Sequence, residues 1–153
     1  MPARAQAAVV VGVILSSGCA GSMSAVLREK QEGQGTAQNY SLPADRAWQI
    51  AETILRWDGA ATVEEHREGN YMLTTMYGAV TVQGADPTVY IGAWIEPSSG
   101  DQVKLTCVVS GPKPFATYTE EDFQLRFQQA LELSRSGEPL PLTAPPRPRL
   151  AGR

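Results

Sequence analysis

Histidine and cysteine are scarce in this sequence, which contains one histidine, His66, and two cysteines, Cys19 and Cys107. A zinc site normally needs three or four clustered ligands. Glu64 shares a face of the predicted strand with His66, but no second histidine and no ligand-spaced cysteine accompany them. We therefore predict no metal site, and we expect His66 to be a solvated residue beside a turn.

Other catalytic signatures are missing too. Serines are plentiful, but no base is placed to activate one of them as a nucleophile. The "GQG" of residues 33–35 lacks the preceding strand, the following helix and the further glycine of a phosphate-binding loop. The sequence therefore predicts no catalytic residues and no cofactor.

Charge is also limited. Charged residues make up 19 % of the chain, apolar residues 42 %, and the formal net charge is −3. This apolar content suffices for a core and is too high for a disordered protein. A nucleic-acid partner is not expected, because such proteins carry a concentrated basic face. The 153 residues fit one domain of about 100–150 residues.

An apolar run long enough to span a membrane is absent as well. Residues 7–15 are apolar without interruption, but a span needs about 20 such residues. Arg4 precedes the run, and the small residues 16–18 lead from it to Cys19. This order is typical of a secretory signal, so residues 1–18 are predicted to be a signal peptide.

The "LSSGC" of residues 15–19 resembles the lipobox of bacterial lipoproteins. The resemblance implies a diacylglycerol on the sulfur of Cys19, cleavage before it, and acylation, for example with palmitate, of the new amino terminus. Ser16 takes the usual leucine place, which is a departure from the pattern. Ala20, where aspartate would mark inner-membrane retention, favours the outer membrane. The implied location is the bacterial cell envelope, facing the periplasm and anchored through lipid on Cys19.

The fate of the second cysteine follows from the first. If Cys19 carries lipid, Cys107 has no partner within the chain and is expected in the core, as a small apolar side chain. The alternative is a disulfide between the two, which requires an unlipidated protein that keeps its leader. Plain secretion without lipid and an uncleaved anchor also remain open.

The rest of the chain divides into three parts. Residues 19–36, small, polar and glycine-bearing, are predicted to be the lipidated cysteine and a flexible tether, in which a helical turn over residues 24–30 is left open. Residues 37–136 form the domain. Residues 137–153 hold five of the 11 prolines and three arginines, Arg147, Arg149 and Arg153. They are predicted to be a disordered tail, whose arginines would attract anionic partners only weakly.

Hydrophobic spacing within the domain predicts the order β-α-β-β-β-β-α. A strand near residues 38–42 precedes a helix that starts at Pro43 and ends at Gly59. Strands near residues 61–66 and 70–77 flank "REGN", whose Gly69 and Asn70 are expected to take positive backbone angles. Gly78 is expected to kink the second of these strands before "AVTVQ" continues it. "VYIGAWIEP" and "QVKLTCVVS" alternate as antiparallel strands, and a helix capped by Thr119 follows.

This order predicts an α+β fold, a two-layer sandwich of an antiparallel sheet with both helices on one face. The phrase "YSLPADRAWQIAETIL" and the hairpin after it are similar to small bacterial lipoprotein domains of uncharacterised function. More distantly, residues 38–133 resemble BamC-type helix-grip domains. The resemblance implies an accessory role in the envelope and no particular binding site.

A candidate binding face follows from strand alternation. If the helices cover Val89, Ile91 and Ile95, then Tyr90 and Trp94 lie on the opposite face, which a two-layer domain leaves exposed. An exposed aromatic pair suits an envelope protein, peptide or glycan partner. The alternative is that the linker or the tail folds over the pair.

The prediction is a non-catalytic binding or structural component of the envelope. A periplasmic enzyme with an unrecognised site, a secreted soluble binding protein, and a scaffold that keeps two partners near the membrane remain alternatives.

Overall fold

The computed structural model of the protein describes residues 21–77, 88–111 and 118–148. Several sequence predictions lie outside these residues: the signal peptide, Cys19, the kink at Gly78, the strand continuation "AVTVQ", Arg149 and Arg153. Among the residues described, no helix has both the length and the apolar character needed to cross a bilayer.

Three helices and five strands form within the described ranges. The helices are α1 (Met23–Gln31), α2 (Ala44–Trp57) and α3 (Glu120–Ser134); the strands are β1 (Thr36–Tyr40), β2 (Val63–His66), β3 (Tyr71–Met76), β4 (Val89–Pro97) and β5 (Val103–Ser110). From β1 onward the order is β-α-β-β-β-β-α, so the predicted α+β class and element order are confirmed.

The strands form one antiparallel sheet in the order β1-β5-β4-β3-β2. Tyr71 lies opposite Trp94, and Gly92 lies opposite Val108. Side chains alternate between the two faces of a strand. The alternation places Ile91 and its neighbours toward α2 and α3, and the residues between them toward α1.

Helices α2 and α3 pack on one face of the sheet, as predicted, and enclose the main core. Pro43 is the N-cap of α2, with extended backbone, and Gly59 follows the helix at φ 107°. Helix α3 begins with a capping box: the side chains of Thr119 and Asp122 each accept a hydrogen bond from the other residue's backbone N–H. Phe123 on α3 is fully buried against the sheet.

The hairpin between β2 and β3 differs in detail from the prediction. Its turn is a single 3-10 turn, Arg67–Gly69, followed by Asn70 at φ 55°. Gly69 does not take a positive angle. The small size of Gly69 matters instead, because an added Cβ would lie 2.7 Å from Cδ1 of Tyr71.

Residues 23–31 are not a flexible tether. They form α1, whose first turn is capped by Ser22 and whose Val26 is fully buried on the sheet. The approach is close because Gly92 lacks a side chain: a Cβ there would lie 2.6 Å from Cγ1 of Val26. Gly33 and Gly35, at φ 76° and 104°, then turn the chain into β1. The second face of the sheet is therefore covered as well.

The first part of the predicted disordered tail is also ordered. Residues 138–148 lie along α2 and α3, with Leu140 packed against the main core. The indole N–H of Trp57 donates to the carbonyl oxygen of Pro141 at 3.0 Å. Arg147 reaches back to Asp58, with Nη2 3.3 Å from Oδ1. Hydrogen bonds to proline carbonyls and the ion pair of Arg147 therefore order a segment that was predicted from its composition to be disordered.

Candidate functional site

The expected exposed aromatic pair is not exposed. Trp94 keeps only 7 % of its surface, and Tyr90 is half-buried. Helix α1 covers them with Val26, Met23 and Leu27, forming a second small core. The structure therefore shows the alternative, in which the N-terminal linker folds over these rings. Trp94 is part of the packed interior.

Polar contacts hold the C-terminal end of α1 on this face. Near its end, Nζ of Lys30 lies 3.3 Å from Oε2 of Glu96 and 5.6 Å from the ring centroid of Trp94. The neighbouring Glu29 accepts a hydrogen bond of 3.0 Å from the hydroxyl of Ser110. Helix α1 is thus an integral layer of the domain.

The row of rings continues past the end of α1 and reaches solvent at the β2–β3 hairpin. Tyr71 stacks on Trp94 with centroids 5.6 Å apart, and His66 stacks on Tyr71 at 4.6 Å. An open cavity of about 430 Å³ lies beside these rings. We call it the hairpin-end pocket; its lining is Glu65, His66, Arg67, Glu68, Gly69 and Tyr71.

A hydrogen-bond network fixes the floor of the hairpin-end pocket to α2. Oε2 of Glu65 accepts a 2.8 Å bond from the indole N–H of Trp48 and a 2.9 Å bond from Nε of Arg67. The guanidinium of Arg67 also lies over the Trp48 ring, 4.0 Å from its centroid. The hydrogen bond from Arg67, and secondarily that from Trp48, lowers the pKa of Glu65. The lowered pKa keeps the Glu65 carboxylate ionised, and its Oε2 already accepts hydrogen bonds from Trp48 and Arg67.

His66 lines the hairpin-end pocket and is exposed beside the turn, which is the solvated position that the sequence predicted. Its Nε2 is 3.9 Å from Oε2 of Glu64, and both side chains remain largely open to solvent. Across the described ranges, no three histidine, cysteine or acidic side chains cluster closely enough to hold a metal ion. The pocket offers a ring face, an arginine and carboxylates, which suits reversible contact with a polar ligand.

Cys107 is fully buried in the main core, which confirms its predicted position. Burial, and secondarily the nearby carboxylate of Glu120, raises the pKa of this thiol well above its ordinary value. A thiol held neutral is a poor nucleophile. Cys107 therefore contributes packing volume, and its burial keeps it from any partner that approaches through solvent.

One charged cluster was missed from the sequence. The side chain of Asp58, at the end of α2, is 1 % exposed, and that of Arg126 on α3 is 4 % exposed; Nε of Arg126 lies 3.1 Å from Oδ1 of Asp58. Tyr118 lies beside them, and its pKa is raised well above the ordinary value by burial and then by the Asp58 charge. The residues are far apart in sequence, so only the fold could reveal the cluster.

Comparison with known proteins adds no relative: no protein-family model matches this chain, and no curated protein matches its sequence significantly.

Proposed function

We propose that this chain is a lipid-anchored protein of the bacterial cell envelope, held through Cys19, whose domain has a non-catalytic binding or structural role. The observation that carries the anchor is the "LSSGC" of residues 15–19, which resembles a lipobox. Ser22 caps α1, and a Cβ at Gly21 would lie 2.8 Å from the carbonyl oxygen of Ser110. The described packing thus reaches to within two residues of the predicted lipid site.

Three residue steps separate Cys19 from the cap at Ser22, a reach of at most about 10 Å. A lipid on Cys19 would therefore hold the end of the sheet where Ser110 lies close to the membrane. This reach is shorter than the separation between membrane and domain that residues 19–36 would allow as a flexible tether.

The binding role is supported by the position of the hairpin-end pocket. Tyr71 pairs with Trp94, while Ser110 at the other end of the sheet pairs with Tyr90. Tyr90 and Trp94 are four residues apart on β4, which corresponds to about 13 Å along the strand. In an anchored domain the pocket would face away from the membrane, where a second envelope component would meet it.

The anchor is tested by expressing the full chain in a bacterial host and measuring the intact mass of the membrane-extracted protein. We expect loss of residues 1–18 and a gain of acyl chains, with the Cys19→Ser variant lacking both the gain and membrane retention. Cys107→Ala is the matched control and should keep both. An unmodified mass in the unsubstituted protein would refute the anchor and favour the secreted alternative.

The binding role is tested in cells with a photo-crosslinking phenylalanine analogue at Tyr71. The same substitution at Tyr77, which is 75 % exposed just beyond the other end of β3, is the control. A discrete adduct at Tyr71 and none at Tyr77 is expected. Absence of an adduct at Tyr71, or equal adducts at both positions, would contradict a role for the pocket.

A further inference from the structure

The tail segment, residues 138–148, lies across α2 and α3, and each hydrogen bond that the helices donate to its backbone ends on a proline. Trp57 donates to Pro141 at 3.0 Å, Nη1 of Arg126 donates to Pro145 at 2.9 Å, and Gln129 donates to Pro146 at 2.9 Å. We call the surface formed by Trp57, Asp58, Tyr118, Arg126 and Gln129 the tail groove. The described tail segment is thus held through its carbonyl oxygens.

This pattern has a chemical reason. Proline has no backbone N–H, so an extended proline-rich segment offers a partner mainly carbonyl acceptors. The tail groove supplies the matching donors: an indole, a guanidinium and an amide. Recognition of extended proline-rich peptides elsewhere uses the same combination of an aromatic surface and side-chain donors.

The groove also has a place for an arginine. Arg147 follows Pro145 and Pro146, and its Nη2 lies 3.3 Å from Oδ1 of the buried Asp58. Its guanidinium is 5.6 Å from the ring centroid of Tyr118. A buried carboxylate beside an aromatic ring favours arginine, which combines charge with a flat face.

The tail segment is held lightly. Most of its residues are exposed, and Leu142 is fully so. Leu140 is the tail side chain that packs against the core. A segment attached by a few carbonyl contacts, one apolar side chain and one half-exposed arginine can be replaced by another of the same chemistry.

We propose that the tail groove is a binding site for extended proline-rich segments that carry an arginine after two prolines, and that the chain's own tail occupies it until a partner segment of this kind displaces it. The site lies on the opposite side of the sheet from α1, and it does not depend on whether Cys19 is lipidated. The tail therefore acts as a built-in competitor for the partner.

The test uses the full chain and a synthetic peptide with the sequence of residues 138–148, whose one arginine is that of position 147, with the indole N–H of Trp57 followed by NMR. In the unsubstituted protein, the tethered tail competes at an effective concentration in the millimolar range. In Arg147→Ala protein the tail competes less, so we expect the apparent Kd of the peptide to fall at least about tenfold. The same peptide with its arginine replaced by alanine should bind at least about tenfold more weakly, because Asp58 loses a charged partner.

Leu142→Ala protein is the matched control, because that side chain contacts nothing, and it should behave as the unsubstituted chain. Exchange of tails between two copies at high concentration, detected by intermolecular contacts in a mixed-label sample, would also support the proposal. No shift of the Trp57 signal at several millimolar peptide in either protein would overturn it. Equal binding of the peptide that lacks arginine would overturn it too.

Discussion

The close contact between α1 and β4 at Gly92 makes a prediction with a definite size. An added methyl group there would lie 2.6 Å from Cγ1 of Val26 and 2.6 Å from Cη2 of Trp94, closer than packed atoms allow. Overpacking of this kind costs about 1–3 kcal/mol, although alanine gains about 0.5–1 kcal/mol over glycine in a strand. Gly92→Ala should therefore lower the free energy of unfolding by about 1–2 kcal/mol.

Val26→Ala tests the same contact from the other side. Val26 is fully buried, and the loss of two methyl groups at about 0.8 kcal/mol each, plus the cavity left behind, gives a cost of about 2–3 kcal/mol. In the double variant, the methyl group of Ala at position 92 enters the space that Val26 vacates. The double variant should therefore be at least about 1 kcal/mol more stable than the sum of the two single effects implies.

Urea unfolding followed by tryptophan fluorescence measures all four corners of this cycle. Val103→Ala, a buried valine on the opposite face of the sheet, is the control partner for Gly92→Ala. That pair should be additive within about 0.5 kcal/mol, since the two sites share no contact. Additivity of Gly92→Ala with Val26→Ala would refute the packing of α1 onto β4.

Three further predictions concern acid stability, helix capping and thiol burial. The pKa of Glu65 is lowered from 4.5, so its contribution to stability is present above about pH 4.5 and is lost as the pH falls through the lower folded value. Glu65→Gln should flatten the acid limb of a thermal-melting pH series, and an unchanged limb would contradict this. Thr119→Ala should lower the free energy of unfolding in urea by about 1–2 kcal/mol, because it breaks the capping box of α3. A loss of about 0.3 kcal/mol or less would count against this role of Thr119. In a Cys19→Ser background, Cys107 should react with a thiol reagent only as fast as the protein opens, and rapid labelling of the native state would disprove its burial.

The sequence predicted the elements whose residues repeat at the period of their own structure. Helix α2, strands β4 and β5, and α3 with its Thr119 cap all lie where spacing and capping residues indicated. The inward position of Cys107 followed from the alternation of β5. In these elements the apolar positions that the local spacing indicates are also the positions that tertiary packing buries. The local pattern therefore predicts the packing.

Helix α1 and the tail escaped prediction for a different reason. Helix α1 has few apolar residues among small and charged ones, and it is stabilised by the sheet face that Gly92 leaves open for Val26. The tail is held by donors on α2 and α3, which lie far from it in sequence. Composition describes a segment alone, whereas both segments are ordered by a surface that exists only after the rest has folded. The exposure expected for Trp94 was wrong for the same reason.

The way α1 is attached has a mechanical consequence. A load on a lipid at Cys19 would enter the domain through Gly21 and Ser22, and thus act first on the start of α1. Side chains join this helix to the sheet, whereas β4 has backbone hydrogen bonds on both sides. Under tension we therefore expect α1 to peel away first, as an early low-force step in a single-molecule pulling trace that is absent when the pulling point is moved to Gly33. Trp94 and Tyr90 would then be uncovered while the sheet remains intact, which would make the aromatic face a feature of the strained protein.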